Sequence, residues 1–257
     1  MLTILLKESG LYPKNLFNVL RGFPIYIRNK FLFKKQLKES DNSFKITKLY
    51  PQLIDRFDAS GSFPLHYFHQ DLYVAQRLFK NNPVKHVDIG SRIDGFVTHV
   101  AAFREIEVMD IREIKENISN VTFLRADLMS NDFKLSDYCD SVSCLHTVEH
   151  FGLGRYGDSL DVNGHLKGLK NITGLLKKNG RLYLSTIIGP QRIEFDAHRV
   201  FSVKYLIDLL ESDFIIDNFS YIDDNNKIHI SAKLSNTNVQ NNFMCIYGCG
   251  IFELIKK

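Results

Sequence analysis

From residue 65 onward the apolar positions switch repeatedly between a helical and an extended period. A helical stretch at 65–80 precedes an extended run at 84–89, a helix at 96–104, and strands at 106–111, 121–124 and 141–145. A helix at 165–177, stopped by Asn179-Gly180, leads into a fifth strand at 181–187. Strands separated by helical stretches of this length predict right-handed crossovers and a mostly parallel α/β sheet covered on both faces. A helix at 202–210 is then followed by extended runs at 214–221, 227–234 and 243–254. The turn signal Asp223-Asp224-Asn225-Asn226 there favours antiparallel hairpins.

Ahead of residue 64 the pattern is different. Residues 14–38 interleave aromatic and basic side chains around a Gly22-Phe23-Pro24 break, which predicts a helical pair. It reads either as a solvated lid whose apolar side packs inward or as an arm lying on a membrane surface or an anionic partner. Asp58-Ala59-Ser60-Gly61-Ser62 has linker composition, giving a basic helical arm over 1–62 and a main domain over 63–257.

Charge sharpens that division. The net charge is +4, but residues 1–56 hold 11 Lys/Arg against 4 Asp/Glu, a local +7 that leaves −3 elsewhere. A charge so localised does not predict a nucleic-acid-binding body. Cys139, Cys144, Cys245 and Cys249 are too few for a disulfide framework, and no C-x-x-C pair is present. The first residues lack a basic start and a small-residue cleavage site, and no run of about eighteen apolar residues occurs. The expectation is a cytoplasmic protein, with peripheral contact at the inner membrane face if the arm meets lipid.

In an open parallel sheet, ligands sit beyond the carboxyl ends of the strands, so the residues ending each strand carry the chemistry. The first strand runs into "HVDIGSRIDGF", with Asp88 and Gly90 at its end and Gly95 opening the next helix. The second ends at Asp110, placed to accept both hydroxyls of a ribose. The third ends at Asp127, within reach of a purine amine. Each carboxylate alone would equally serve as a helix cap; three in order at successive strand ends suggest one pocket.

On these residues the chain resembles the class I S-adenosylmethionine-dependent methyltransferases over 65–254, including the strand-rich tail. That resemblance implies a Rossmann-like, seven-stranded, mostly parallel sheet completed by a C-terminal antiparallel hairpin, and S-adenosyl-L-methionine as cofactor. It implies Asp88 and Gly90 against the methionine portion, Asp110 on the ribose, and Asp127 with Leu128 around the adenine. The usual D-x-G-x-G-x-G turn is altered here, since Arg92 stands where a second glycine is common; Arg92 would pair with the methionine carboxylate. "YFHQDLYVAQ", "HVDIGSRIDGF", "LHTVEHFGLGRYGD" and "AHRVFS" further resemble a methyltransferase-like family of bacterial surface-polysaccharide pathways.

Residues 144–158, CLHTVEHFGLGRYGD, contain two competing motifs. His146-x-x-Glu149-His150 has the spelling of an inverted zinc peptidase, and Gly152-x-Gly154-x-x-Gly157 that of a dinucleotide-binding loop. A zinc site of the first kind needs both histidines on one helical face, whereas here they follow the strand "SVSCL". The second should open a phosphate-binding helix, yet "YGDSLDV" follows it. The expectation is instead a flexible glycine loop over a methyl-transfer site, with no metal.

For a neutral hydroxyl acceptor, methyl transfer needs orientation, exclusion of water and a base. His150 is the first choice, with His146 and Glu149 as alternatives; His146 would otherwise pack on the cofactor. Gln70, between His69 and Asp71, would close over the cofactor or simply form a polar helix face. Arg155, Tyr156, Gln191, Arg192, His198 and Arg199 are the expected substrate contacts, the arginines suiting a phosphate or carboxylate. The expected function is O-methylation of a sugar, nucleotide sugar or phosphate-like modification of capsule or lipopolysaccharide. The alternatives are a zinc hydrolase using His146, Glu149 and His150, or a non-catalytic binding subunit on the same fold.

Overall fold

In the computed structural model, residues 13–40, 44–57 and 65–257 are described. The linker at 58–62 lies outside them. The chain divides into two compact units, Met1–Phe63 and Pro64–Lys257.

Among the described residues of the first unit are one helix, α1 (Pro13–Lys38), and a segment over 44–57 that forms neither helix nor strand and bends at its end. The expected helical pair is replaced by a single helix that runs through Pro24. Proline removes one backbone donor without forbidding helix on either side. Segment 44–57 meets the turn just before it: Asn18 Nδ2 donates to Ile54 O at 2.8 Å, and Arg21 stacks 4.2 Å from the Phe57 ring centroid. Gly22 makes the approach possible, since a Cβ there would lie 3.2 Å from Leu53 O.

In the second unit α2 (Leu65–Asn81) precedes β1 (His86–Ile89), a π-helical turn at Ile93–Val97, α3 (Thr98–Ala101), β2 (Ile106–Asp110), β3 (Val121–Arg125) and β4 (Cys139–Leu145). After a 3-10 turn at Val148–His150 come α4 (Gly164–Leu175), β5 (Leu176–Ile188), and a small hairpin of β6 (Arg192–Glu194) and β7 (His198–Val200). The chain closes with α5 (Val203–Leu210), β8 (Phe214–Ile222), β9 (Ile228–His229), α6 (Asn236–Gln240), a 3-10 turn at Asn242–Met244, and β10 (Gly248–Lys256).

The sheet order is β3-β2-β1-β4-β5-β10-β8-β9. β1 to β5 are mutually parallel, and β10 is antiparallel to both β5 and β8, so the C-terminal antiparallel pair completes the sheet. An eighth strand, the two-residue β9, is added at the β8 edge. Strand alternation explains the burial: Leu182 and Leu184 join one core while Tyr183 joins the other, and Phe252 and Leu254 oppose Ile251 in the same way. A sheet filled on both faces by period-2 side chains requires helices on both sides.

Four segments depart from the sequence reading. The helix expected to run to 177 and stop at Asn179-Gly180 ends at Leu175, and both residues lie within β5. The expected strand 227–234 is reduced to two residues, and 243–254 pairs only from Gly248, because Asn242, Phe243 and Met244 have φ of 50–63° and cannot extend the ladder. The helix expected at 96–104 ends at Ala101 and begins with the π turn. There Gly95 is non-helical (φ −121°, ψ −112°), and a Cβ on it would come 2.5 Å from Asp71 Oδ2.

Candidate functional site

Strand order reverses between β1 and β4, and the loops that follow them enclose a cavity of about 370 Å³. Gly90 makes the first turn possible: its φ is +68°, its N–H donates to Met109 O at 2.9 Å, and a Cβ would lie 2.7 Å from Thr147 Cγ2. Asp88 lies beneath this turn, fully buried, and does not line the cavity. Its carboxylate accepts from Ser91 N (3.0 Å), Ser91 Oγ (2.7 Å) and Ser143 Oγ, so it braces the glycine turn. Burial pushes its pKa up to about 6 against those bonds.

The expected nucleoside end is assembled in one place. Asp110, Asp127 and Leu128 line the cavity together, because parallel register puts Asp110 beside Arg125 and ties Ala126 N to Asp110 O at 3.1 Å. Asp110 is oriented by Arg112, with Nη2 to Oδ2 at 2.7 Å and the Arg112 backbone N–H to Oδ1 at 2.8 Å. Asp127 accepts from Met129 N at 2.8 Å through Oδ1. Arg92 lines the mouth, paired with its neighbour Asp94 at 2.6 Å. Gly95 and Gln70 stand outside the lining. Gln70 is buried between Asp71, to which it donates at 2.9 Å, and Ser185 Oγ, from which it accepts.

The stretch after β4 carries the reactive groups. His146 takes a left-handed φ of 49° at the strand end, lines the cavity, and donates from Nδ1 to Glu149 Oε1 at 2.7 Å. Glu149 is completely buried and also accepts from Thr186 Oγ1 at 3.2 Å, so its carboxylate orients His146 and does not open on the cavity. Burial disfavours charge on both members, but each supplies the other with an opposite charge. The Cys249 sulfur and Glu149 hold the His146 pKa well above the usual imidazole value, and His146 holds Glu149 below the usual carboxylate value.

His150 lines the same cavity with Nδ1 committed to Ala197 O at 2.7 Å, and burial lowers its pKa. An Nδ1–H donor leaves Nε2 as the acceptor, the state a general base requires. The two histidines do not converge on a common point as the H-x-x-E-H reading would need. His146 gathers instead with His66 and Cys249.

The glycine motif has a physical answer. Gly152, Gly154 and Gly157 all have positive φ (78°, 76° and 86°), and the backbone N–H groups of Gly152, Gly154 and Tyr156 donate to the Asp158 carboxylate at 2.9–3.2 Å. The glycines form an anion-binding concavity, and the anion is the chain's own aspartate. In place of the expected flexible loop stands one pinned by Asp158. Arg155 and Tyr156 from it line the cavity, and Arg112 stacks 4.4 Å from the Tyr156 ring centroid.

The remaining expected substrate contacts fall elsewhere. Arg199 is buried and donates to Phe151 O, Glu149 O and Val162 O, fastening the loop from behind. Arg192 pairs with Glu194 at 2.8 Å within the β6–β7 hairpin, Gln191 accepts from Ser202 Oγ, and His198 faces Glu194 at 3.2 Å. None of these four lines the cavity. Sequence reasoning passed over Tyr67, Arg112 and Asp158, which do. An aspartate four residues after Gly154 was the available signal for the last of them.

Residues 93–246 match the family model described as "Caenorhabditis protein of unknown function, DUF268". No curated protein matches the sequence. Among solved structures, the [4+2]-cyclase SpnF aligns at 13% identity and a TM-score of 0.53, covering 73% of this chain and 80% of that one. A 1,6-didemethyltoxoflavin-N1-methyltransferase of Burkholderia thailandensis, with 1,6-didemethyltoxoflavin and S-adenosylhomocysteine bound, aligns at 15% identity and 0.51, covering 73% and 78%. The N-methyltransferase NodS of Bradyrhizobium japonicum WM9, in complex with S-adenosylhomocysteine, aligns at 11% and 0.50, covering 75% and 89%. At these identities the likeness establishes the Rossmann-like methyltransferase fold.

Proposed function

The chain belongs to the DUF268 family, and we propose for it S-adenosylmethionine-dependent methyl transfer to an oxygen acceptor. The observation that carries this reading is the convergence of Gly90, Asp110, Asp127, Leu128 and His146 on one cavity at the strand-order reversal. It is supported by the two methyltransferases of the same fold that hold S-adenosylhomocysteine. In this reading Asp110 binds the ribose, Asp127 and Leu128 the adenine, and Arg92 the methionine carboxylate. His150 takes the acceptor proton.

For the acceptor we propose a sugar, nucleotide sugar or phosphate-like modification of a bacterial surface polysaccharide, on the sequence resemblance described above. Arg155 and Tyr156 at the cavity suit a phosphate-bearing sugar. Incubation with labelled S-adenosylmethionine and a panel of nucleotide sugars should transfer label to at least one; label on protein or nucleic acid instead would overturn the acceptor class.

Asp110→Ala should weaken S-adenosylhomocysteine binding by about 1.5–3 kcal/mol, the cost of one charge-assisted hydrogen bond. Calorimetric titration measures it, and unchanged affinity would remove the ribose assignment.

For the basic arm we propose contact with anionic phospholipid. Phe17, Leu20, Phe31 and Phe33 are all more than half exposed on α1, among Arg21, Arg28, Lys30, Lys34 and Lys35. No helix among the described residues is long and apolar enough to cross a membrane. The chain should float with phosphatidylglycerol vesicles and not with phosphatidylcholine vesicles, and Phe17→Ser with Phe31→Ser should abolish flotation. Equal flotation on both lipids would contradict an electrostatic contact.

A further inference from the structure

His66 at the start of α2, His146 at the end of β4 and Cys249 in β10 are remote in sequence, yet one donor atom from each lies within 4.8 Å of the other two. All three residues are buried, at 7%, 8% and 0% exposure. The imidazoles of His66 and His146 stack with centroids 5.6 Å apart. His146 is the informative member. Its Nδ1 is committed to the buried Glu149, and its Nε2 is buried without an oxygen or nitrogen partner, with the Cys249 sulfur nearby.

A buried imidazole nitrogen without an oxygen or nitrogen partner carries a desolvation cost that a partner would recover. A histidine held through one nitrogen by a carboxylate, with the other nitrogen free, is the arrangement by which outer carboxylates orient metal-bound imidazoles. Two imidazoles and a thiolate are the donors that a borderline-soft divalent cation prefers.

We infer that His66, His146 and Cys249 form a site for a zinc-class divalent cation, with Glu149 as its outer carboxylate. Tetrahedral coordination at about 2.1 Å to nitrogen and about 2.3 Å to sulfur puts the donors about 3.5 Å apart, so binding requires the donors to close by about an ångström and the stacked His66 and His146 rings to turn until their nitrogens converge. The thiol proton of Cys249, and any proton on His146 Nε2, pass to solvent as the ion binds. His146 also lines the cavity, so the ion's fourth position is available to an acceptor oxygen there. That last step alone rests on the methyl-transfer reading.

The test uses the full chain and Co²⁺ alone. One cobalt ion per chain should bind and give a thiolate-to-cobalt charge-transfer band in the near ultraviolet. Cys249→Ser should abolish the band and weaken Co²⁺ binding more than about 100-fold, beyond the 10–100-fold expected for loss of an outer partner. Glu149→Gln should weaken binding by about tenfold with the band retained. His66→Gln should also lose tight binding, and urea titration of each variant separates a lost donor from a lost fold. Absence of cobalt binding, or a band unchanged in Cys249→Ser, would overturn the site. Titration with S-adenosylhomocysteine in the presence of chelator reads the nucleoside pocket separately, since Cys249 does not line it.

Discussion

Glu149→Ala is expected to lower the stability of the chain by about 3–5 kcal/mol, the usual cost of removing one member of a buried ion pair. Glu149 has no exposed surface, and His146 has 8%. Without the carboxylate, His146 Nδ1 loses its 2.7 Å acceptor and Thr186 Oγ1 loses its own at 3.2 Å, and both residues are buried. Glu149→Gln keeps an oxygen for His146 Nδ1 and turns its amide NH2 to Thr186 Oγ1, which can accept, so it should cost less than half as much. Urea unfolding of the two variants gives the comparison, and an alanine variant within about 1 kcal/mol of wild type would show that the pair contributes little.

The second large effect is a pair of opposed pH dependences on β1. His86 is 2% exposed between Ser141 Oγ (2.9 Å) and Ser143 Oγ (3.1 Å), and burial, helped by the charge of Arg104, lowers its pKa to about 3. A base whose folded pKa is depressed contributes stability above its unfolded value near 6.5 and loses it as pH falls, at about 1.4 kcal/mol per pH unit, until about 3. Asp88, two residues along the strand, titrates in the opposite sense. Its folded pKa of about 6 lies above the usual carboxylate value, so its contribution grows as pH falls from about 6 to 4. Over that window the two terms largely cancel. His86→Gln should therefore make the stability of the chain rise as pH falls, relative to wild type, and Asp88→Asn should make it fall more steeply, each by up to about 1.4 kcal/mol per unit. Denaturant titrations between pH 7 and 4 read both slopes. Parallel slopes in all three proteins would show that neither group is held away from its solution behaviour.

What the sequence made legible follows from locality. Period-2 runs and the aspartates that end them are read within ten residues, and parallel register then carries Asp110, Asp127 and Gly90 to one cavity without further information. Asp88 was legible as a strand-end carboxylate, but not its depth beneath the turn, because Ser143 reaches it from a neighbouring strand. Arg192 and Arg199 read as a pair of anion contacts. In three dimensions one is satisfied by Glu194, two residues along the same strand, and the other by three carbonyls of the loop it fastens. Alternation along 243–254 concealed the left-handed residues at 242–244 that delay the last strand. The grouping of His66, His146 and Cys249 had no sequence signature at all, since its members come from a helix start and two strands that are not neighbours in the sheet.

The role of Arg112 illustrates the same division. Its partner Asp110 is two residues away and readable, whereas its stacking on Tyr156 depends on how Asp158 folds the glycine loop back over the cavity. Through that stack the nucleoside end and the expected acceptor end share one wall. Substitutions in the loop should therefore affect both ends together.

The most direct measurement is a crystal structure of the chain grown with S-adenosylhomocysteine. The account predicts the ribose on Asp110, the adenine between Asp127 and Leu128, and the sulfur turned toward His146 and His150. A nucleoside bound away from Asp110 and Asp127, or a cavity left empty at saturating ligand, would contradict it.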